Sequence, residues 1–130
     1  MRFMLLQDYF VEGVEPMSSW SPEDVKAHID FQYRLNDELR QRGELVEAQG
    51  LAESARTVIN DGVAPVVTDG PFPQSKELLA GYRIVDVESP ERALEIAASA
   101  SAAPGPGGTP IRQPIEVREV MGAPGASSDV

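Results

Sequence analysis

A carboxylate, a glycine and two prolines fall within five residues at Asp69-Gly70-Pro71-Phe72-Pro73, and the pair Lys76-Glu77 follows closely. Gly70 is free to take positive φ. Pro71 and Pro73 fix their own φ, donate nothing, and push the residue before each away from the helical region. Such a turn is stiff and holds Asp69 in one direction. The carboxylate can then act as a general base, accept a hydrogen bond from a ligand hydroxyl or amine, or simply close its own Asx turn. Lys76 and Glu77 can join it in a polar cluster or form a solvated pair of little energetic weight.

The chain has one histidine, His28. It lies in a helical pattern whose apolar stripe is Val25, Ile29, Phe31, Leu35 and Leu39, and rotation by 100° per residue puts His28 and Gln32 inside that stripe, with Asn36 at its border. A buried polar group left unpaired costs about 1–3 kcal/mol, so these side chains need partners. They either bond to backbone at the helix–sheet edge or line a polar cavity. If His28 and Asp69 lie within hydrogen-bond reach in such a cavity, the imidazole can shuttle protons near neutral pH while the aspartate orients it.

Other chemistries lack their residues. With one histidine and no cysteine, a metal site has only carboxylates to draw on, and these show no ligand spacing. No glycine-rich phosphate loop runs from a strand into a helix, and no serine-nucleophile signature is present, so no cofactor is expected.

The bulk composition narrows the partners. In 130 residues, 21 Asp and Glu stand against 11 Lys and Arg, a net charge of −10. Phosphate backbones and anionic lipid surfaces are bound by clustered basic residues, so direct nucleic-acid and membrane binding are both disfavoured. No apolar run approaches the roughly 18–20 residues of a membrane span. The opening Met1-Arg2-Phe3-Met4-Leu5-Leu6 has no cleavage pattern of a signal peptide, and a cytoplasmic protein is expected.

The elements that must position these residues follow from periodicity and punctuation. Residues 2–9 read as a strand apolar on both faces, which therefore needs a cover on each. Residues 10–20 read as a loop. Ser21-Pro22-Glu23-Asp24 supplies an N-cap, a proline at the first helical position and early acids, and the helix should run to about Arg42, where Gly43 stops it. Residues 44–51 are a second strand. Residues 56–60 and 64–68 flank Asp61-Gly62, a hairpin turn signal. Residues 81–87 form another strand, with Tyr82, Ile84 and Asp86 on one face and Arg83, Val85 and Val87 on the other. Ser89-Pro90-Glu91 opens a second helix over about 90–101, residues 104–110 are a Pro/Gly loop, and residues 115–120 alternate as a last strand.

The order is β-α-β, a hairpin, then β-α-β: an α+β, ferredoxin-like βαββαβ fold with an extra hairpin and both helices on one face. A single domain over 1–121 and a mobile tail over 122–130 are expected.

Asp69-Gly70-Pro71-Phe72, then Ser75-Lys76-Glu77 and the Gly81-Tyr82-x-Ile84-x-Asp86-Val87 strand, together resemble the YCII-related superfamily, and more narrowly its DGPF branch. The likeness also takes in Arg2-Phe3-Met4-Leu5-Leu6, Ser21-Pro22-Glu23, Gly50-Leu51 and residues 115–120. It implies monomers that pair sheet to sheet into a dimeric α+β barrel, and a pocket between sheet and helix or within the barrel. A histidine–aspartate pair is linked to acid–base work in the YCII branch. Asp69 occupies the motif aspartate and His28 falls roughly where such a histidine lies. The chain departs from the pattern at Pro73-Gln74, which replaces an Ala-Glu, and in its longer 104–110 loop.

The resulting expectation is a homodimer that binds a small molecule at a polar pocket centred on Asp69. His28 would be its acid–base partner, with Gln32, Gly70, Pro71, Phe72, Lys76 and Glu77 as further contacts. A rival from another class is an accessory regulatory protein. DGPF genes often neighbour extracytoplasmic-function sigma factors, and an acidic surface suits a basic protein partner. A third is a structural dimer in which Asp69 only builds its turn.

Overall fold

The computed structural model describes residues 1–9, 11–70 and 79–122. Strand β1 (Arg2–Asp8) leads through a loop with one 3-10 turn (Met17–Ser19) into helix α1 (Pro22–Gln41). Strands β2 (Leu45–Gly50), β3 (Arg56–Asn60), β4 (Pro65–Asp69) and β5 (Leu79–Asp86) follow, then helix α2 (Pro90–Ser101) and strand β6 (Ile115–Glu119). The main sheet has the order β2-β5-β1-β6 with every neighbouring pair antiparallel, and β3 and β4 form a separate two-stranded sheet. This is the expected ferredoxin-like α+β arrangement with its extra hairpin. No helix among the described residues is long and apolar enough to cross a membrane.

Both helices start as their sequences dictate. Ser21 Oγ accepts from the Asp24 amide and Ser89 Oγ from the Arg92 amide, both at 3.2 Å, with a proline at the first helical position of each. Helix α1 closes at Gly43, whose φ of +72° suits a glycine C-terminal to a helix. The core lies between the helices and one sheet face, where Phe3, Leu5, Val85 and Val87 meet Leu35 and Leu39 of α1 and Ala93, Ile96, Ala97 and Ala100 of α2. Fully burying a side chain such as Leu39 or Ile96 contributes about 1.5–3 kcal/mol. The alanines of α2 let that helix lie close to the sheet.

Two local expectations change. Ile29 was placed in the core stripe of α1 but is 42% exposed. The inward face is instead centred on His28, Leu35 and Leu39, so Ile29, one residue after His28, swings out to solvent. The hairpin turn spans residues 61–64, because Asn60 pairs with Pro65 and Asp61 does more than precede a glycine. Its Oδ1 accepts from the amides of Val63 and Ala64, at 2.9 and 3.2 Å, which holds its carboxyl below the usual carboxylate range.

One ion pair ties the two halves of the fold together. Arg92 Nε and Nη2 donate to the two carboxylate oxygens of Glu44, both at 2.9 Å, joining the entry to β2 to the first turn of α2. The hydrogen bonds from Arg92 keep the Glu44 carboxyl ionised to lower pH than usual, and Glu44 in turn raises the guanidinium.

Candidate functional site

A hollow opens between α1 and the edge of the sheet because the sheet carries little side-chain volume there. Gly50 of β2 faces Gly81 of β5, and the next pair on the same face is Ala48 opposite Arg83. A Cβ on Gly81 would lie 2.7 Å from the Gln49 carbonyl oxygen, so the close approach of β2 demands glycine at 81. Above this bare floor, α1 presents His28, Gln32 and Asn36, spaced one turn apart on one face. The cavity measures about 360 Å³, within the range of small-ligand sites.

The side chains around it form a single chain of hydrogen bonds. The Pro104 carbonyl can only accept, so His28 donates to it from Nδ1, at 2.9 Å. Nε2 is therefore the acceptor, and the Gln32 amide nitrogen faces it at 3.3 Å. That sets the Gln32 oxygen toward Arg83, whose Nη2 donates to it at 2.6 Å, while Arg83 Nε donates to Asn36 Oδ1 at 2.7 Å. Both ring nitrogens of His28 are thus engaged.

Arg83 is the unusual member. It is 5% exposed, and among the described residues no carboxylate pairs with it. Its partners are two neutral amides. Burial pulls its pKa down to about 10, a value at which the guanidinium still carries its charge at neutral pH. Its guanidinium has no further protein acceptor among the described residues, and Arg83 lines the hollow.

A second, smaller hollow of about 110 Å³ shares His28 and Gln7 with the first. Trp20 stands over it, its ring edge-on to His28 with centroids 5.5 Å apart.

The structure sets His28, Gln32 and Asn36 along one hollow, and His28 also bonds backbone there, at the Pro104 carbonyl. It does not bring Asp69 to them. Asp69 ends β4 with its side chain 98% exposed, 3.9 Å from Arg56 Nε, and lines a separate hollow with Gly70, Glu53 and Ser54. Gly70 itself, at φ +97°, is pinned by its amide to the Ala55 carbonyl and by the Thr57 hydroxyl to its own carbonyl, each at 2.7 Å. Pro71, Phe72, Lys76 and Glu77 lie outside the described residues. Asp69→Asn is accordingly expected to change neither the melting temperature nor anion binding, as read by thermal denaturation and titration with acetate.

Sequence reasoning missed Arg83, although the signal was there. It shares its strand face with Val85 and Val87, the face turned to the helices, and a lone arginine on that face needs a reason.

A model of the YCII-related domain matches residues 1–120. No curated protein matches the chain. The matched span takes in both βαβ halves, the hairpin and every residue of the hydrogen-bonded chain around Arg83. By that match the chain belongs to the YCII-related family.

Proposed function

We propose that this YCII-related protein binds a small monoanion, a carboxylate, in the cavity between α1 and the β2–β5 edge, with Arg83 as its charge partner. The observation that carries this reading is a buried guanidinium that lines the hollow and whose acceptors among the described residues are two neutral amides. Among the described residues Arg83 is the one lysine or arginine lining that cavity, which favours a single negative charge over a phosphate dianion. Gln32 and Asn36 orient the guanidinium, and His28 orients Gln32. With both its nitrogens engaged, His28 acts as a positioning residue, which favours a binding role over acid–base catalysis. Titration with acetate should raise the melting temperature, by the equivalent of about 2.7 kcal/mol at a hundredfold excess over Kd, while acetamide and chloride should not. Equal responses to all three solutes overturn the reading.

We also propose that two copies pair, and that the Asp69-Gly70-Pro71-Phe72 tetrapeptide places the chain in the DGPF branch. The β3–β4 hairpin supports pairing. Val58, Ile59, Val66 and Val67 are each about 60% exposed and Val63 is 91% exposed, on an arm with no more than slight contact to the other described elements. A lone two-stranded ribbon is marginal in water and gains from a cover. Light scattering should give twice the 14.1 kDa chain mass at micromolar concentration, and a particle of 14.1 kDa rejects pairing.

A further inference from the structure

The second hollow adds a property that a simple anion site would not need. Its wall is more apolar than polar: Val11, Val14, Met17, Trp20 and Ile111 supply the hydrocarbon, and Asp8 and Glu15 also line it. Polar groups of three lining side chains are turned onto backbone carbonyls. The Trp20 indole N–H donates to the Glu15 carbonyl at 2.8 Å, the Gln113 amide to the Asp8 carbonyl at 2.6 Å, and the Tyr9 hydroxyl to the Leu51 carbonyl. An apolar cavity of about 150 Å³ holds a benzene ring, so one of about 110 Å³ accepts a shorter alkyl group. His28 and Gln7 stand in the walls of both hollows, so the two spaces adjoin across these side chains.

We infer that the ligand is a carboxylate with a short apolar arm, its head on Arg83 and its arm past His28 in the hollow beneath Trp20. This rests on the anion-binding reading and extends it from a charge to a ligand class, the short-chain aliphatic acids. The head group satisfies the N–H groups that Arg83 leaves open. The arm packs against the hydrocarbon of Val11, Val14, Met17 and Ile111.

Trp20 is the chain's one tryptophan and lines the second hollow, so its emission responds to what enters there. The experiment titrates the intact protein with straight-chain acids from acetate to hexanoate, following heat release and Trp20 emission together. Acetate should bind with little change in emission. Longer acids should gain about fourfold in affinity per methylene until the hollow is filled, with a shift in emission. Val14→Phe, which narrows the second hollow from its loop side, should abolish the gain with chain length and leave acetate affinity unchanged. If acetate binds but lengthening adds nothing and the emission stays constant, the arm is excluded while the Arg83 site stands. If none of the acids binds, the Arg83 site falls too, and the arm with it.

Discussion

Arg83→Met is expected to weaken carboxylate binding by one to two orders of magnitude while leaving the fold as stable as before or more so. Burial lowers the Arg83 pKa to about 10, which expresses the free energy spent on holding a desolvated charge. Its two bonded acceptors, Gln32 Oε1 and Asn36 Oδ1, are neutral and return only part of that cost. Methionine removes the charge and keeps a long, adaptable apolar side chain between Val85 and the helices. The amides it leaves behind line a cavity and can be solvated. Together these give a net change between zero and roughly 2 kcal/mol of stabilisation, by analogy with buried charges replaced by hydrocarbon. Losing a charge-assisted bond of about 1.5–3 kcal/mol should weaken acetate binding by one to two orders of magnitude. Denaturant melts and calorimetric titration of the same preparation decide the matter. A fall in stability of several kcal/mol would mean that Arg83 braces α1 against the sheet, and the anion would lose its place in the account. Arg83→Lys separates charge from geometry, since an ammonium cannot reach both amides as the planar fork does.

The architecture was legible because the local signals agree with one another. Ser21-Pro22 and Ser89-Pro90 cap their helices, Gly43 ends the first, and the alternation along β5 assigns its two faces correctly. The site was legible only in part. His28 and Gln32 could be singled out because a helical wheel projects them into an apolar stripe, and that needs no tertiary information. Arg83 meets them only because antiparallel register sets it opposite Leu5 and Ala48, beneath α1, and register across a crossover is not written in local periodicity. The Asp69 motif misled for a related reason. Its glycine and prolines announce a shaped turn, but not which way the hairpin carries that turn, and β3–β4 carry Asp69 out into solvent, away from α1. Ile29 left the core by the small rotation that brings His28 in.

Gly81→Ala and Gly50→Ala should behave oppositely, although the two glycines face each other across the same pair of strands. Neither has a positive φ, so alanine meets no backbone penalty at either position. What differs is the space around them. A Cβ at 50 meets nothing within 4 Å, whereas one at 81 meets the Gln49 carbonyl oxygen at 2.7 Å and Gly50 Cα at 3.3 Å. Both of those neighbours are backbone, so no side chain can turn aside, and β2 itself must move. Strand β2 is an edge strand held to β5 alone within the sheet, and it gives way before the centre does. The Leu51 amide, bonded to the Ala80 carbonyl at 2.7 Å, is the first contact at risk. Overpacking of this kind costs about 1–3 kcal/mol for Gly81→Ala. Gly50→Ala should be neutral or stabilising by roughly 0.5 kcal/mol, through a less flexible unfolded chain. The functional consequence follows the same asymmetry. Moving β2 shifts Gln49 and Ala48, which line the cavity wall beside Arg83, so acetate affinity should fall at least tenfold in the first variant and hold in the second. Equal stability and affinity in the two variants would show that the sheet edge yields freely. The bare floor beneath α1 would then owe nothing to the close approach of β2.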